Sequence, residues 1–230
     1  MHDKIDAFPK VTLSRPASAQ NVSFSRYWDN PWHTGIKRLA DVIFSAFLLL
    51  IATPVLASIA IGVKFDSRGP VLYRWRVVGQ GGRPFRSWKF RSMCVGADDK
   101  KEQLLEGNEM RGPVFKLQND PRITRIGKYL RRYSLDELPQ LFSVLIGDMS
   151  LVGPRPPLQT EYVRFSEAQK RKLAVKPGIT CLWQVSGRNE IRDFDSWVNL
   201  DLEYIRTWSL WLDCKILWRT AATVLRGTGK

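Results

Sequence analysis

Two adjacent carboxylates, Asp136 and Glu137 in RRYSLDELPQL, are the residues of this chain best suited to carry chemistry. Adjacent helical residues project about 100° apart, so both reach one pocket only at a helix end or a bend. Pro139, just downstream, favours such an end. Arg131 and Arg132 lie just upstream, so a phosphorylated ligand could bridge arginine and carboxylate through a divalent cation. In that setting one carboxylate attacks phosphorus, while magnesium held by Asp136 and Glu137 neutralises the developing charge. The same residues spell a helix-capping box, Ser134-x-x-Glu137, with Asp136 placed for the helix dipole. Spacing alone favours the cap.

Further cations fit either a phosphate site or ordinary surface. Arg155 sits between Pro154 and Pro156, a rigid mount for a guanidinium that grips a diphosphate. A surface arginine in a stiff loop is the plainer reading. Lys89 and Arg91 alternate with Trp88 and Phe90, so on a strand both cations share one face. Other chemistries are poorly supplied. The two histidines, His2 and His33, lie near the N-terminus, which argues against His-based metal sites and a Ser-His-Asp triad. Cys94, Cys181 and Cys214 are far apart and odd in number, so they form no disulfide framework or zinc module.

The elements that must position these groups are mixed. Residues 71–93 read as two strands around the Gly79-Gln80-Gly81-Gly82 turn. No Gly-Lys-Ser/Thr follows it, so the turn is not a phosphate loop. Residues 98–109 and 160–174 read as polar helices, and a helix is expected from Ser134 to about Leu145. Residues 147–157 form a loop stiffened by three prolines, and 176–188 are rich in turns. One stripe of aromatic residues, Trp197, Tyr204, Trp208, Trp211 and Trp218, falls within about 80° at helical spacing. That suits a membrane interface as well as a core, unless the helix breaks near Ser209.

The chain carries 36 Lys and Arg against 22 Asp and Glu, a net +14 in 230 residues. The excess is clustered in residues 64–91, 122–132 and 164–176, which implies an anionic partner. Val42 to Val63 is a run of 22 residues without a charge. As a helix it covers about 33 Å, enough to cross a hydrocarbon core. Thr53-Pro54 falls mid-run, and Lys37, Arg38, Lys64 and Arg68 flank both ends. Basic flanks on both sides give no orientation to read. A helix bent back at Pro54, with both ends on the cytoplasmic face, accounts for both features.

Taken in order, these segments resemble the bacterial sugar transferases, the monotopic phosphoglycosyl transferases. The likeness runs from about Lys37 to Arg226 through KRLADVIFS, KFRSM, RITRIGKYLRRYSLDELPQL, GDMSLVGPRP, KPGIT, LWQVSGRN and WSLWLDCKIL. It implies transfer of a sugar 1-phosphate from a UDP-sugar to polyprenyl phosphate, the first membrane step of exopolysaccharide or glycoconjugate assembly. It implies that Asp136 is the nucleophile, that Glu137 assists through Mg2+ or proton transfer, and that Lys89, Arg131 and Arg155 hold phosphates. The implied fold is α+β and mainly helical. A polar leader (1–35) precedes a re-entrant membrane hairpin (36–64) broken at Thr53-Pro54. A catalytic domain (65–226) follows, with a small β-hairpin and amphipathic interfacial helices, then a short tail (227–230).

That domain would lie on the cytoplasmic face of the bacterial inner membrane, against anionic lipid, and a homodimer is admitted. Two departures stand out. Cys181 replaces the glycine usual in PGITG, and the leader lacks the four-helix membrane bundle of larger members. The chain therefore resembles the compact form or an excised domain. The competing readings are a membrane-anchored nucleic-acid-binding protein and a non-catalytic envelope scaffold. No nucleic-acid motif supports the first, so nucleic acid is not expected as a partner.

Overall fold

The computed structural model describes residues 24–187 and 190–227. Most of the expected leader, Arg188 and Asn189 of LWQVSGRN, and the last three residues of the tail lie outside the described residues.

The apolar run belongs to one 36-residue helix, α1 (Pro31–Asp66). Asn30 starts it by accepting a hydrogen bond from the Trp32 amide at 2.9 Å, and Pro31 occupies the first turn, where no amide is needed. Pro54 lies inside α1 and cannot donate to the Leu50 carbonyl, four residues back. Next to that gap the Thr53 hydroxyl donates to the Leu49 carbonyl at 2.9 Å, and the helix carries on. Ile43, Phe47, Leu50, Ile51 and Ile61 remain exposed along it, so α1 is long and apolar enough to enter a membrane.

Both ends of α1 are fastened to the rest of the chain. Near its start, buried Lys37 pairs with Asp213 at 2.6 Å and donates to the Val152 carbonyl at 3.1 Å. Arg38 donates to the Val144 and Leu145 carbonyls at 2.6 and 2.8 Å, capping the C-terminus of α3 (Gln140–Ile146). Asp41 accepts from the Leu151 amide at 3.0 Å. At the far end Asp66 accepts from the Ile126 amide at 3.2 Å, in the first turn of α2 (Arg125–Arg132). Arg91 donates to the Ser67 carbonyl at 2.8 Å and the Pro70 carbonyl at 2.6 Å. The basic flank seen at Lys37 and Arg38 is thus a pair of internal anchors.

The expected hairpin forms. Strands β1 (Leu72–Val78) and β2 (Pro84–Phe90) pair antiparallel, with Trp75 opposite Ser87 and Val78 opposite Pro84. Gly81 and Gly82 take φ of 67° and 80°, which a side chain would resist, and the Gly79 amide closes the turn on the Arg83 carbonyl at 2.7 Å. A second sheet was not foreseen: β3 (Ser150–Val152) pairs in parallel with β4 (Gly178–Thr180). Three-residue strands are too short to show alternation. Their close approach explains two motif glycines, since a Cβ at Gly178 would collide with the Gly153 amide nitrogen.

After the short helix α6 (Leu182–Val185), helices α7 (Phe194–Thr207) and α8 (Leu210–Arg226) correct the single aromatic stripe. Trp208 ends α7, and Ser209 caps α8 by accepting from the Leu212 amide at 3.2 Å. The break turns Trp197, Tyr204 and Trp208 into the core and leaves Trp211 and Trp218 outside, 67% and 79% exposed. One core cluster joins Val144, Met149, Val152, Tyr204, Ile205 and Trp208. Another gathers Met110, Phe165, Trp183, Phe194 and Trp197. A third, Val63, Phe90 and Leu130, joins the end of α1 to the hairpin and α2.

Two expected polar helices are also revised. Residues 99–107 wind as a 3-10 helix. The 160–174 stretch divides into α4 (Gln159–Tyr162), α5 (Glu167–Lys170) and a 3-10 turn, because Ser166 starts a new capping box.

Candidate active site

Asp136 and Glu137 stand on a 3-10 turn, Leu135–Glu137, between α2 and α3. Ser134 precedes it in the left-handed region (φ 53°, ψ 23°), the one non-glycine with positive φ among the described residues. This overturns the capping-box reading. An N-cap needs extended backbone to aim its oxygen at the first free amides, and the Ser134 side chain makes no such bond. The expected helix from Ser134 begins instead at Gln140. The tight turn also lets two adjacent carboxylates sink together, Asp136 8% and Glu137 9% exposed.

The five residues given roles by the family resemblance, Lys89, Arg131, Asp136, Glu137 and Arg155, line one cavity of about 450 Å³. Lys89, near the end of β2, donates to Glu137 Oε1 at 2.7 Å, and its ammonium lies 4.0 Å from the centre of the Trp75 ring. Arg155, held between its prolines, donates to the same oxygen at 3.1 Å. Arg131 reaches the cavity from the last turn of α2. Arg132 turns away to the Gly227 carbonyl at 3.2 Å. Arg91 also borders the cavity, but its guanidinium is spent on the end of α1.

Opposing influences act on the Asp136 carboxyl. Burial pushes the Asp136 carboxyl above its ordinary range and the neighbouring Glu137 charge adds to this, while Lys89, Arg131 and Arg155 oppose it. Burial likewise lowers the Lys89 ammonium, against the pull of Glu137. Each charge is costly alone and tolerable in this set.

Among the described residues, no three His, Cys, Asp or Glu side chains cluster closely enough to hold a metal by protein ligands alone. The pair Asp136 and Glu137 does fit magnesium, which takes one or two carboxylates and completes its shell with water and substrate phosphate.

Sequence reading missed Glu161, Lys172 and Trp183, which border the same cavity. Glu161 lies on α4 and Lys172 in a polar run, with no motif around them to signal it. Cys181 takes extended backbone (φ −147°, ψ 166°), so the usual glycine is not required there by conformation. Its thiol is buried in the aromatic core and pushed up to about 12, by burial and then by the Asp201 charge.

Comparison with known proteins gives a consistent outcome. The sequence pattern described as "Bacterial sugar transferase" matches residues 32–227. The chain is 50% identical over 208 residues to the galactosyl transferase CpsE of Streptococcus agalactiae serotype III, covering 90% of this chain and 46% of that protein. It is 43% identical over 192 residues to the UDP-glucose:undecaprenyl-phosphate glucose-1-phosphate transferase of Escherichia coli K12, covering 80% and 39%. It is 39% identical over 197 residues to the exopolysaccharide production protein ExoY of Rhizobium meliloti 1021, covering 84% and 87%. The chain thus spans less than half the length of the first two and most of the third.

Proposed function

Because the chain belongs to the bacterial sugar transferase family, we propose that it transfers a sugar 1-phosphate from a UDP-sugar to undecaprenyl phosphate. The product would be undecaprenyl-diphosphate-sugar, with UMP released, as the opening step of a surface polysaccharide. The observation that carries this reading is the buried Asp136-Glu137 pair beside Lys89 and Arg155 in one cavity.

In this mechanism the Asp136 carboxylate attacks the phosphorus that bears the sugar. The bond to the bridging oxygen breaks, and UMP departs with that oxygen and the bonding pair. An acyl phosphate then links Asp136 to the sugar phosphate. An oxygen of undecaprenyl phosphate attacks the same phosphorus, and Asp136 leaves as a carboxylate. Lys89, Arg131 and Arg155 hold the phosphate charges, and Arg155 and Lys89 also fix Glu137 beside the nucleophile. Magnesium, when bound by Asp136 and Glu137, supplies charge neutralisation on the diphosphate.

The course of α1 supports the same setting. Its start is held by Asp213 and its end by Ile126, so one folded body grips both ends of an apolar helix. A helix crossing the bilayer would part its ends to opposite faces. We therefore read α1 as entering one leaflet, bending at Pro54 and returning, with the catalytic domain on the cytoplasmic face. Exposed Trp211 and Trp218 on α8, with Lys215 and Arg219 beside them, suit an interface with anionic lipid.

Purified protein incubated with a UDP-hexose, Mg2+ and undecaprenyl phosphate should release UMP, and Asp136→Asn should abolish that release. Undiminished release from the variant would remove Asp136 as nucleophile.

A further inference from the structure

The cavity holding Asp136 has two unlike walls, and their charges differ. One wall continues into a second cavity of about 700 Å³, and the two share Phe115, Lys116, Arg122 and Arg131. The second cavity adds Lys128, Arg132 and Arg192 against Glu109 and Asp120, and although Asp120 pairs with Arg122 at 2.6 Å, this side keeps an excess of positive charge. Elsewhere the lining is aromatic, with Phe165, Trp183, Phe194 and Trp197 in the same cavity as Glu161 and Lys172, and the Lys172 ammonium 4.6 Å from the centre of the Trp197 ring. Here the cations are matched. Lys172 pairs with Asp201 at 2.6 Å, both almost fully buried. Arg155 is engaged by Glu137, and Lys101 lies close enough to Glu161 to oppose the effect of burial on its carboxyl.

From this contrast we infer that Glu161 and Trp183 form the hexose subsite, and that the basic wall takes the uridine monophosphate part of the donor. The inference rests on the phosphoglycosyl transfer proposed above. A hexose is neutral and rich in hydroxyl donors, whereas the departing nucleotide is a dianion. The matched wall therefore suits the sugar and the basic wall suits the nucleotide.

Glu161 is equipped to read hydroxyls. Its Oε2 accepts the Leu158 amide at 3.1 Å, which fixes the carboxyl at the start of α4. That bond uses one of about four lone-pair sites of a carboxylate, so capacity remains for a sugar hydroxyl. Trp183 supplies the complement. Its ring is stacked on Trp197 at 4.0 Å, and its indole N–H is buried without a hydrogen-bond partner among the described residues. A buried donor of that kind calls for a partner, and a sugar oxygen would provide one. The apolar C–H face of a pyranose also packs well on the electron-rich face of an aromatic ring. The placement agrees with the order of the reaction. Arg155 joins the Glu137 side to the Glu161 side, and the sugar phosphate stays with Asp136 after UMP has left.

The test compares Glu161→Gln and Trp183→Phe with the parent chain, using UMP release from UDP-glucose, UDP-galactose and their N-acetylated forms. Glutamine keeps an acceptor for the Leu158 amide, and phenylalanine keeps an aromatic face, so one variant serves should the other fail to fold. Each should lower kcat/KM for the preferred donor by roughly tenfold or more and narrow its margin over the others. The constant for inhibition by UMP should stay within about twofold of the parent, because UMP carries no hexose. Weakened UMP inhibition in step with the donor would assign Glu161 to the nucleotide and overturn the inference, as would an unchanged donor preference. A parent chain that releases UMP from no donor would instead overturn the transfer reaction itself, and the hexose subsite with it.

Discussion

Lys89 and Glu137 meet at 2.7 Å, joining the end of β2 to the turn that carries Asp136. The pair places a positive charge where it lowers the Asp136 carboxyl, against burial and the Glu137 charge that raise it. In the proposed mechanism attack requires ionised Asp136, so the acid limb of the pH–rate profile should follow this balance. Lys89→Met should lower kcat/KM for UMP release by roughly 10²-fold, as expected for loss of one charge stabiliser. It should also move the acid limb to higher pH. A pH–rate profile with an unmoved acid limb would separate Lys89 from the nucleophile.

The same balance makes Asp136 a burden on stability. A carboxyl raised in the folded state binds more protons folded than unfolded between its two pKa values, so stability falls as pH rises through that window. Above the window the full cost is present. Asp136→Asn should therefore be more stable than the parent by roughly 0.5–2 kcal/mol at pH 7.5 while releasing no UMP. The advantage should shrink as the pH is lowered towards the ordinary carboxylate range. Urea melts at several pH values read this directly, and equal melts throughout would contradict it.

Much of this site was legible because its members sit in motifs of the family. Spacing alone favoured a cap at Asp136-Glu137 and ordinary surface at Lys89 and Arg155; the family resemblance is what grouped these with Arg131, and all five line one cavity. Glu161 and Lys172 were not legible, since a polar run gives no sign of which side chain a later fold will bury. The capping box misled because Ser134 takes a left-handed backbone, a local cost that spacing does not reveal. The aromatic stripe misled for a related reason. Ser209 caps a new helix, and one interruption rotates everything beyond it, parting Trp208 from Trp211. The hairpin was easy by contrast, because the Gly79–Gly82 turn and the flanking alternation point the same way.

Lys37 offers a test of how α1 is held. Asp213 takes Lys37 at 2.6 Å, the Tyr204 hydroxyl at 2.8 Å and the Trp208 indole at 3.2 Å, all within the core. Lys37→Met removes the one cation of this group and leaves a buried carboxylate. The expected cost is about 3–5 kcal/mol. Adding Asp213→Asn should return part of it, because the amide oxygen still accepts from Tyr204 or Trp208 without a charge to bury. Thermal melts in nanodiscs of the single and double variants measure this. A double variant no better than Lys37→Met would show that the loss is one of packing rather than of charge.

The topology of α1 is the remaining point that one measurement can decide. Trp32 and Phe65 stand near its two ends, 76% and 86% exposed, and neither takes part in the anchors that fasten the helix. As a straight rod the 36 residues would be about 54 Å long, well beyond a hydrocarbon core of about 30 Å. Yet Asp213 and Ile126, which hold the two ends, belong to the same folded body. Single cysteines at Trp32 and Phe65, with Cys94 and Cys214 replaced by serine, should label from the same side of sealed inverted vesicles. An impermeant maleimide should reach both positions in inverted vesicles and neither in intact spheroplasts. Opposite accessibility of the two positions would mean that α1 crosses the bilayer, and that contacts at one of its ends do not persist in the membrane.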